Sequence, residues 1–386
     1  MSIPLAYNLR NLVVRKTTTI MTALGIALTV AVLLASFALI NGLKTTLSAS
    51  ADPLRVLVMR KGATGELTSI FSRQNYQDLK FKSGIAVGKD GQPMASLEVL
   101  TVISLASVDS PNGINLTVRG LMPQGIEMRR VKLASGRWFE AGRNEVVVGG
   151  SVVKRFPDAA VGRKIRFGRS DWEVVGVIDA GRASADSEIW GDLNQIASDL
   201  NRNDGLSVTL LTATDEVTAK ALINDITNDQ RLGMSAQSEK EYFDSQQQGA
   251  EPIQFAGVFV AIIMAVGSSF AAMNTMYAAV ARRSREVGTL RVLGFSKGSI
   301  LLSFFLESVL LAALGGILGC LLVLPLNGVT TAVGNTNFSE TAFDLRVTPE
   351  SMLYGVLFAV LLGTVGGLFP ASNAARKEIL TALREV

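Results

Sequence analysis

Residues 17–43, TTTIMTALGIALTVAVLLASFALINGL, contain no charged residue and lie between Lys16 and Lys44. A helix needs about 20 consecutive apolar residues to cross the hydrocarbon core of a bilayer, whereas helices in soluble proteins average about 10 to 14 residues. Three more runs have this length: 253–281, 299–325, which only Glu307 interrupts, and 351–375. The sequence therefore predicts four transmembrane helices.

The first run could instead be a cleavable signal peptide, because Ala49-Ser50-Ala51 resembles a cleavage site. The apolar core of a signal peptide has only about 7 to 15 residues, and this run is longer. We therefore expect an uncleaved membrane anchor.

The composition of the 386 residues excludes several kinds of chemistry. Only 18% of the residues are charged, against about 25% in soluble domains, and mean hydropathy is +0.33. With no histidine and one cysteine, the chain has no Ser-His-Asp triad, no imidazole-bound metal and no internal disulfide. We predict no catalytic residue, no metal site and no cofactor, so a membrane-bound enzyme is the weakest functional alternative.

Lysines and arginines near the helix ends set the expected orientation, because cytoplasmic loops carry an excess of them. They concentrate in the N-terminal tail, between the second and third runs, and in the C-terminal tail. Both termini are therefore placed in the cytoplasm. The net charge of +4 and the pI of about 9.2 reflect this topology, so no nucleic-acid partner is expected.

The predicted segments follow from this topology. They are a cytoplasmic tail 1–16, helix 17–43, an extracytoplasmic domain 44–252, helix 253–281, a cytoplasmic segment 282–298, helix 299–325, an outer loop 326–350, helix 351–375 and a tail 376–386. The fold class is an integral membrane α-helical protein with a large α+β extracytoplasmic domain between helices 1 and 2.

The large domain is nearly neutral, with 25 Lys and Arg against 26 Asp and Glu. Its sequence predicts an α/β part at about 44–97 and 192–252 and a β-rich insertion at about 98–191, because short apolar runs there alternate with Gly, Pro and Asp. The acids have no metal-ligand spacing and are interpreted as a solvated surface.

Residues 282–297, RRSREVGTLRVLGFSK, combine basic residues with apolar ones at 287, 290 and 293. A positive-inside anchor explains the arginines alone. A spacing of three is helical, so the segment predicts an amphipathic helix that lies along the cytoplasmic surface and docks in a groove on a partner.

This segment resembles the coupling-helix motif of the MacB/FtsX/LolC-type permeases of ATP-binding-cassette (ABC) systems. The matching residues are Arg283, Arg285, Glu286, Val287, Gly288, Leu290, Arg291, Leu293 and Gly294. Segments 136–149 and 174–177 resemble the MacB-type extracytoplasmic core domain, 307–319 the third span and 369–384 the C-terminal tail. One departure is Ile379, where this family usually has proline.

The resemblance implies that these nine residues contact an ABC ATPase. No Gly-x-x-x-x-Gly-Lys-Ser/Thr loop occurs, so ATP and Mg are expected to be used by a separate ATPase chain. The resemblance implies a mechanotransmission permease of the bacterial inner membrane. It would move a lipid, lipoprotein, peptide or amphiphilic compound and work as a dimer with itself or a paralogue, and a periplasmic adaptor is a further possible partner. The alternative is an FtsX-type regulator that activates a cell-wall hydrolase without transport.

Some residues within the spans have functional or packing interpretations. Glu307 lies inside the third span, where a charge is costly; it is either a coupling residue or a carboxylate that snorkels or pairs with an arginine such as Arg282 or Arg291. The pairs Gly315/Gly319 and Gly363/Gly367 let helix backbones approach closely, within one subunit or at a subunit interface. Cys320 is interpreted as a small apolar filler.

Overall fold

The structure, a computed structural model, describes residue 14 and residues 16–107, 113–181, 183–248, 251–334 and 340–376. Most of the two predicted tails lies outside these ranges, including the departure at Ile379. The chain divides into two compact units. A membrane unit comprises Met1–Asn41, Glu251–Val329 and Leu345–Val386, and an α/β unit comprises Gly42–Ala250 and Thr330–Asp344.

The helices of the described residues are α1 Lys16–Ser50, α2 Arg73–Leu79, α3 Pro123–Arg129, α4 Gly150–Arg155, α5 Leu193–Asp199, α6 Glu216–Asn228, α7 Glu239–Gln248, α8 Glu251–Arg282, α9 Ser284–Val292, α10 Lys297–Val323 and α11 Pro349–Arg376. The strands are β1 Arg55–Arg60, β2 Ala95–Leu105, β3 Ile114–Leu121, β4 Lys132–Gly136, β5 Glu145–Gly149, β6 Lys164–Phe167, β7 Ser170–Asp179, β8 Glu188–Asp192, β9 Val208–Thr212, β10 Met234–Ser238, β11 Thr330–Gly334 and β12 Glu340–Asp344.

Four of these helices, α1, α8, α10 and α11, are long and apolar enough to cross a membrane. This confirms the predicted number of spans and the large domain between the first and second. The helix α1 runs to Ser50, beyond the predicted end at residue 43. Lys44 interrupts the apolar run without breaking the helix, since lysine is a good helix former.

Small residues bring the membrane helices together. A Cβ atom at Gly315 would lie 2.9 Å from the carbonyl oxygen of Ala23, and one at Gly319 would lie 2.8 Å from that of Ala27. Both glycines therefore hold α10 close to the backbone of α1. Gly363 and Gly367 of α11 face α10 in the same way, near Ala312 and Ser308. In the structure all four predicted packing glycines form contacts within the chain. Between helices in a membrane, van der Waals packing of this kind drives association, because lipid tails provide no hydrophobic effect between helices.

The α/β unit is built on one ten-stranded mixed sheet in the order β10-β1-β9-β2-β3-β8-β5-β7-β4, with β6 paired to β7. The predicted boundary between an α/β part and a β-rich insertion, at residues 97 and 98, is wrong. It falls inside β2, which pairs with β9 through 95–98 and with β3 through 98–105. The hydrogen-bonded ladder therefore continues across that boundary, and the two parts share one sheet.

Both faces of this sheet are covered. In β1, Val56 and Val58 belong to a core with α2, α5 and α6, whereas Leu57 and Met59 pack with Met128 of α3 and Tyr242 of α7. Successive side chains of a strand point to opposite faces. A continuous apolar run such as 56–59 is therefore typical of a strand buried on both sides.

The predicted outer loop 326–350 contains the hairpin formed by β11 and β12. The hairpin belongs to the α/β unit, where Ser187 Oγ lies 3.0 Å from the backbone nitrogen of Ala342 and accepts its hydrogen bond. Sequence reasoning gave this segment no structure because its strands are short and polar.

Candidate functional site

The segment that resembles a coupling helix forms α9, a helix of nine residues between α8 and α10. Gly294 ends it with φ +90°, a left-handed conformation that glycine adopts without steric cost. Ser296 then begins α10, because its hydroxyl accepts a hydrogen bond from the backbone nitrogen of Ser299 at 3.2 Å. The predicted segment 282–298 is thus a shorter helix with two loop connections.

One face of α9 is buried. Val287 is 2% exposed and packs among Met276, Ile300 and Phe304. Gly288, beside it, is also buried. The predicted apolar stripe at 287, 290 and 293 is only partly present, because Leu293 lies beyond the last helical residue and is 64% exposed.

The opposite face of α9 is open. Its exposed residues follow the spacing i, i+1, i+4, i+7 and i+8: Arg285, Glu286, Thr289, Val292 and Leu293. Such spacing places residues on one side of a helix. The face carries a basic and an acidic residue near the start of α9 and two apolar residues at its end. Of the other predicted contact residues, Leu290 and Arg291 are half-buried and Gly294 is exposed.

Arg283, immediately before α9, is buried and ties α9 to α10. Its Nε lies 3.0 Å from a carboxylate oxygen of Glu286 in α9, and a terminal nitrogen lies 2.8 Å from Glu307 in α10. The guanidinium also lies over the ring of Phe304, 4.9 Å from its centroid. Arg283 therefore faces inward, which makes it a positioning residue for α9.

Glu307 is 5% exposed, so this carboxylate neither snorkels nor faces water. The expected pairing with an arginine is present, but the partner is Arg283 and not the suggested Arg282 or Arg291; the side chain of Arg282 is exposed. Which arginine pairs with Glu307 depends on the turn between α8 and α9, which directs residue 283 inward and residue 282 outward.

Hydroxyl groups link α1 to α8 within the membrane unit. Thr29 and Ser268 share a hydrogen bond of 2.6 Å, and Thr22 donates to Thr275 at 3.4 Å. Residue 36, also a serine, lies against Gly257. Sequence reasoning missed this contact, although Thr22, Thr29 and Ser36 are seven residues apart along α1, a repeat that is typical of one face of a helix packed against another helix.

The α/β unit contains a buried ion cluster that contradicts the prediction of solvated acids. Arg119 is 5% exposed and donates hydrogen bonds to three carboxylates, those of Glu66, Glu98 and Glu188. Glu98 also pairs with Arg129. These residues lie on separate strands, on α3 and, for Glu66, in the turn that follows β1, so no local spacing revealed the cluster.

The electrostatics of the cluster are balanced by its arginines. Burial acts to raise the pKa of Glu98, but Arg129 and Arg119 outweigh it, so that pKa is lowered. The pKa of Glu188 is lowered likewise, with burial opposed by Arg119. These carboxylates are therefore ionised at neutral pH, and removing an arginine would leave buried charge uncompensated.

A second ion pair joins the two ends of the α/β unit. Glu239, the first residue of α7, accepts hydrogen bonds at one oxygen from Nε of Arg55 at 2.5 Å and from the backbone nitrogen of Asp52 at 3.2 Å. Asp52 and Arg55 follow α1, and α7 precedes α8 in the chain. The Arg55–Glu239 pair therefore fastens the segment that leaves α1 to the segment that enters α8. In the described ranges no group of three or more Cys, Asp or Glu side chains could hold a metal ion.

The geometry defines a class of protein: a four-helix membrane protein with a large α/β domain inserted between its first two long helices and a short, half-exposed helix between the second and third. Two family models match it. The MacB-like periplasmic core domain matches residues 19–229, and the FtsX-like permease C-terminal domain matches residues 258–379. The chain belongs to the MacB/FtsX-like family of ABC transporter permeases.

Curated relatives agree with this assignment. The chain is 27% identical over 299 residues to the macrolide export ATP-binding/permease protein MacB of Pasteurella multocida, covering 72% of this chain and 45% of that protein. It is 26% identical over 284 residues to the uncharacterized ABC transporter permease YknZ of Bacillus subtilis, covering 69% and 70%. The chain spans about half the length of the first of these relatives.

Solved structures give weaker likenesses. The periplasmic region of MacB from Actinobacillus actinomycetemcomitans matches at 12% identity with a TM-score of 0.37, covering 52% of this chain and 94% of that chain. The extracellular domain of YknZ from Gram-positive bacteria matches at 14% identity with a TM-score of 0.36, covering 48% and 100%.

Proposed function

We propose that this chain is the permease subunit of a mechanotransmission ABC transporter of the bacterial inner membrane, with both termini in the cytoplasm. A separate ATPase chain hydrolyses ATP and docks on α9. The motion reaches the α/β unit, which exports or extracts a lipid, lipoprotein, peptide or amphiphilic compound. The observation that carries the proposal is α9, which is anchored on one face and open on the other.

The contacts that anchor α9 allow it to pass a force from the ATPase to α10. Arg283 connects it to Glu307, ten residues into α10, and Val287 connects it to the core of the membrane unit. A force on α9 is therefore passed to α10 through a buried ion pair and close packing, since well-packed interiors transmit strain. On the exposed face, Val292 and Leu293 are each 64% exposed, and we place the contact with the partner there.

The motion would reach the α/β unit through α1 and α8, the two membrane helices that connect to it. The helix α1 is continuous to Ser50, four residues separate it from β1, and two residues separate α7 from α8. Any shift of α1 along α8 would act on the Arg55–Glu239 pair, which fastens the two connections together.

Because four helices enclose little space, we propose that two copies, or one copy and a paralogue, form the working unit. The exposed apolar side of α8, with Phe259 and Phe270, is available to lipid or to the second copy.

Docking on α9 is tested by charge substitution on its open face. Leu293→Asp changes a residue that is 64% exposed, so the chain should fold normally while binding of the ATPase subunit falls about tenfold or more. Val217→Asp, at an 80% exposed position in α6, is the matched control. Affinity would be measured with the full chain in nanodiscs and the purified ATPase. Equal binding by the two variants would refute docking at this face.

Coupling is tested separately from docking. Replacing Glu286 and Arg291 together with alanine should leave ATP hydrolysis intact and reduce transport in reconstituted vesicles. Unchanged transport in the double variant would contradict the role of α9. Intact ATPase stimulation with no transport of any amphiphile by the wild-type chain would favour the regulator alternative.

A further inference from the structure

The last turn of α9 contains an arginine without a partner. Across the ranges that the structure describes, the side chain of Arg291 makes no hydrogen bond, ion pair or ring contact. The residue is half-buried, and its Nε is buried with no acceptor. We propose that Arg291 binds the phosphate group of an anionic phospholipid at the membrane surface.

The first argument is the buried donor. Six buried side-chain atoms lack a partner in the described part of the chain, and Arg291 Nε is the one that belongs to a charged group. A buried donor without an acceptor is costly, and more so when its group is charged. The dipole of α9 favours an arginine in the last turn, but it supplies no acceptor for Nε. Because the side chain is only half-buried, the guanidinium can turn towards an acceptor from outside the chain.

The second argument is the face of α9 on which Arg291 lies. Ser284, Val287 and Gly288 are buried, and together with Arg291 they have the spacing i, i+3, i+4 and i+7, which places them on one side of the helix. This side packs on the membrane helices, since Val287 belongs to a cluster with Ile300 of α10. Arg291 therefore lies on the packed side of α9, and an ATPase on the open side would not supply its acceptor.

The third argument is the level of Arg291 relative to the bilayer. The helix α8 ends at Arg282 and α10 begins at Lys297, and both are long and apolar enough to cross a membrane. Because α9 connects these two ends, Arg291 lies near the level of the lipid headgroups. Basic pockets between membrane helices at this level bind anionic headgroups.

The fourth argument is the charge around α9. Both acids of residues 282–307, Glu286 and Glu307, pair with Arg283, so neither neutralises Arg291. The segment carries an excess of positive charge, which attracts an anion. Its basic residues are Arg282, Arg283, Arg285, Arg291 and Lys297.

The geometry of the guanidinium selects a phosphate. Its planar fork of N–H donors matches two phosphate oxygens at once, in a charge-assisted bidentate contact. Phosphatidylglycerol offers this group with a net negative charge, whereas phosphatidylcholine carries an ammonium group that offsets it. Arg291 should therefore distinguish the two lipids.

A bound lipid would hold the second end of α9. The start of α9 is fixed by the ion pair of Arg283 with Glu307, whereas its last turn has no ion pair among the described residues. A phosphate on Arg291 would fasten that turn to the bilayer. The site needs no ATPase, so it stands or fails separately from docking on the open face.

Lipid binding is tested with the full chain alone. The chain in detergent would be immobilised and loaded with tritiated phosphatidylglycerol, which is then displaced by unlabelled competitors in the same detergent. Phosphatidylglycerol should displace the label at a concentration about tenfold or more below that of phosphatidylcholine with the same acyl chains, and inorganic phosphate should not displace it. Equal potency of the two lipids would overturn the proposal, and so would displacement by inorganic phosphate, which would assign the contact to a free anion.

Variants locate the contact. Arg291→Gln should weaken phosphatidylglycerol binding about tenfold or more, whereas Arg282→Gln, which removes the same charge from an exposed position, should change it little. Arg291→Lys keeps the charge but has no fork, so it should also bind more weakly, and it decides the question if Arg291→Gln does not fold. Equal effects of the two Gln substitutions, or wild-type affinity in Arg291→Lys, would contradict the assignment. Binding that Arg291→Gln leaves unchanged would leave a carboxylate of the ATPase as the acceptor for Arg291.

Discussion

The ion pair between Arg283 and Glu307 should stabilise the membrane unit only as a pair. Both side chains are about 5% exposed and their closest atoms are 2.8 Å apart. In Arg283→Met, Glu307 remains buried without its partner, which costs about 3–5 kcal/mol. In Glu307→Met, Arg283 loses its buried carboxylate partner and keeps the half-exposed Glu286, and a cost of similar size is expected. In the double variant both charges are absent, and replacing a buried ion pair by apolar groups is often neutral.

The double variant should therefore be more stable than either single variant. With single costs of about 3–5 kcal/mol each and a nearly neutral double variant, the coupling energy is about 6–10 kcal/mol and opposite in sign to the sum of the single effects. For a unit of this size each kcal/mol shifts the unfolding midpoint by about 2–4 °C, so Arg283→Met should unfold roughly 10 °C below the wild type and the double variant within a few degrees of it.

Cys320 provides a reporter specific to this unit. It is the single cysteine of the chain and is 4% exposed within α10, so a thiol-reactive fluorophore labels it only when the membrane helices open. Thermal scans of the full chain in detergent would be compared for the wild type, both single variants and the double variant. Arg282→Met removes an exposed arginine beside Arg283 and should shift the midpoint little. Additive single effects, or equal effects of Arg283→Met and Arg282→Met, would refute the reasoning.

Three further predictions concern packing and pH. Gly319→Val should destabilise the membrane unit by about 1–3 kcal/mol, seen as a lower midpoint of Cys320 labelling, because its side chain would meet the backbone of α1. Gly267→Val, with nothing within 4 Å, should leave the midpoint unchanged. Equal effects would exclude the close approach of α10 to α1. Arg119→Met should destabilise the α/β unit by about 3–5 kcal/mol, measured by the fluorescence of the three tryptophans, all in that unit; a loss no greater than that of exposed Arg166→Met would contradict the buried cluster. The hydrogen bond from Arg137, opposed by burial, lowers the pKa of Glu145 to about 2, so Glu145 stabilises the fold above about pH 4.5 and this contribution is lost as the pH falls towards 2. Glu145→Gln should therefore lower the free energy of unfolding by about 1–2 kcal/mol at pH 7, a figure reduced because Arg137 is half-exposed, and should have little effect near pH 2. A loss of stability that does not depend on pH would show that the Arg137–Glu145 pair is not responsible.

The sequence anticipated the segments whose signal is local. Four long apolar runs predicted four membrane helices, since crossing a bilayer requires one uninterrupted run of sufficient length. The spacing of Gly315 and Gly319 predicted a close helix contact, because residues four apart lie on one helix face. The motif in 283–294, together with the similar segments at 136–149, 174–177, 307–319 and 369–384, was enough to recognise the family.

Contacts between distant residues were not anticipated. The boundary drawn through β2 was wrong because the pairing of 95–98 with β9 joins segments more than a hundred residues apart. The acids of the α/β domain were taken for surface residues because each one stands alone in the sequence. Only the folded chain places Glu66, Glu98 and Glu188 around Arg119.

The sequence by itself thus determined the number of membrane helices, the place of the large domain and the family, since these depend on run length and on motifs within short segments. The tertiary structure alone decided that Arg283 faces Glu307, that α9 is open on the side of Arg285 and Leu293, and that Glu239 pairs with Arg55. The physical reason is that the cost of a buried charge depends on which groups surround it in three dimensions, and sequence spacing carries no information about those groups.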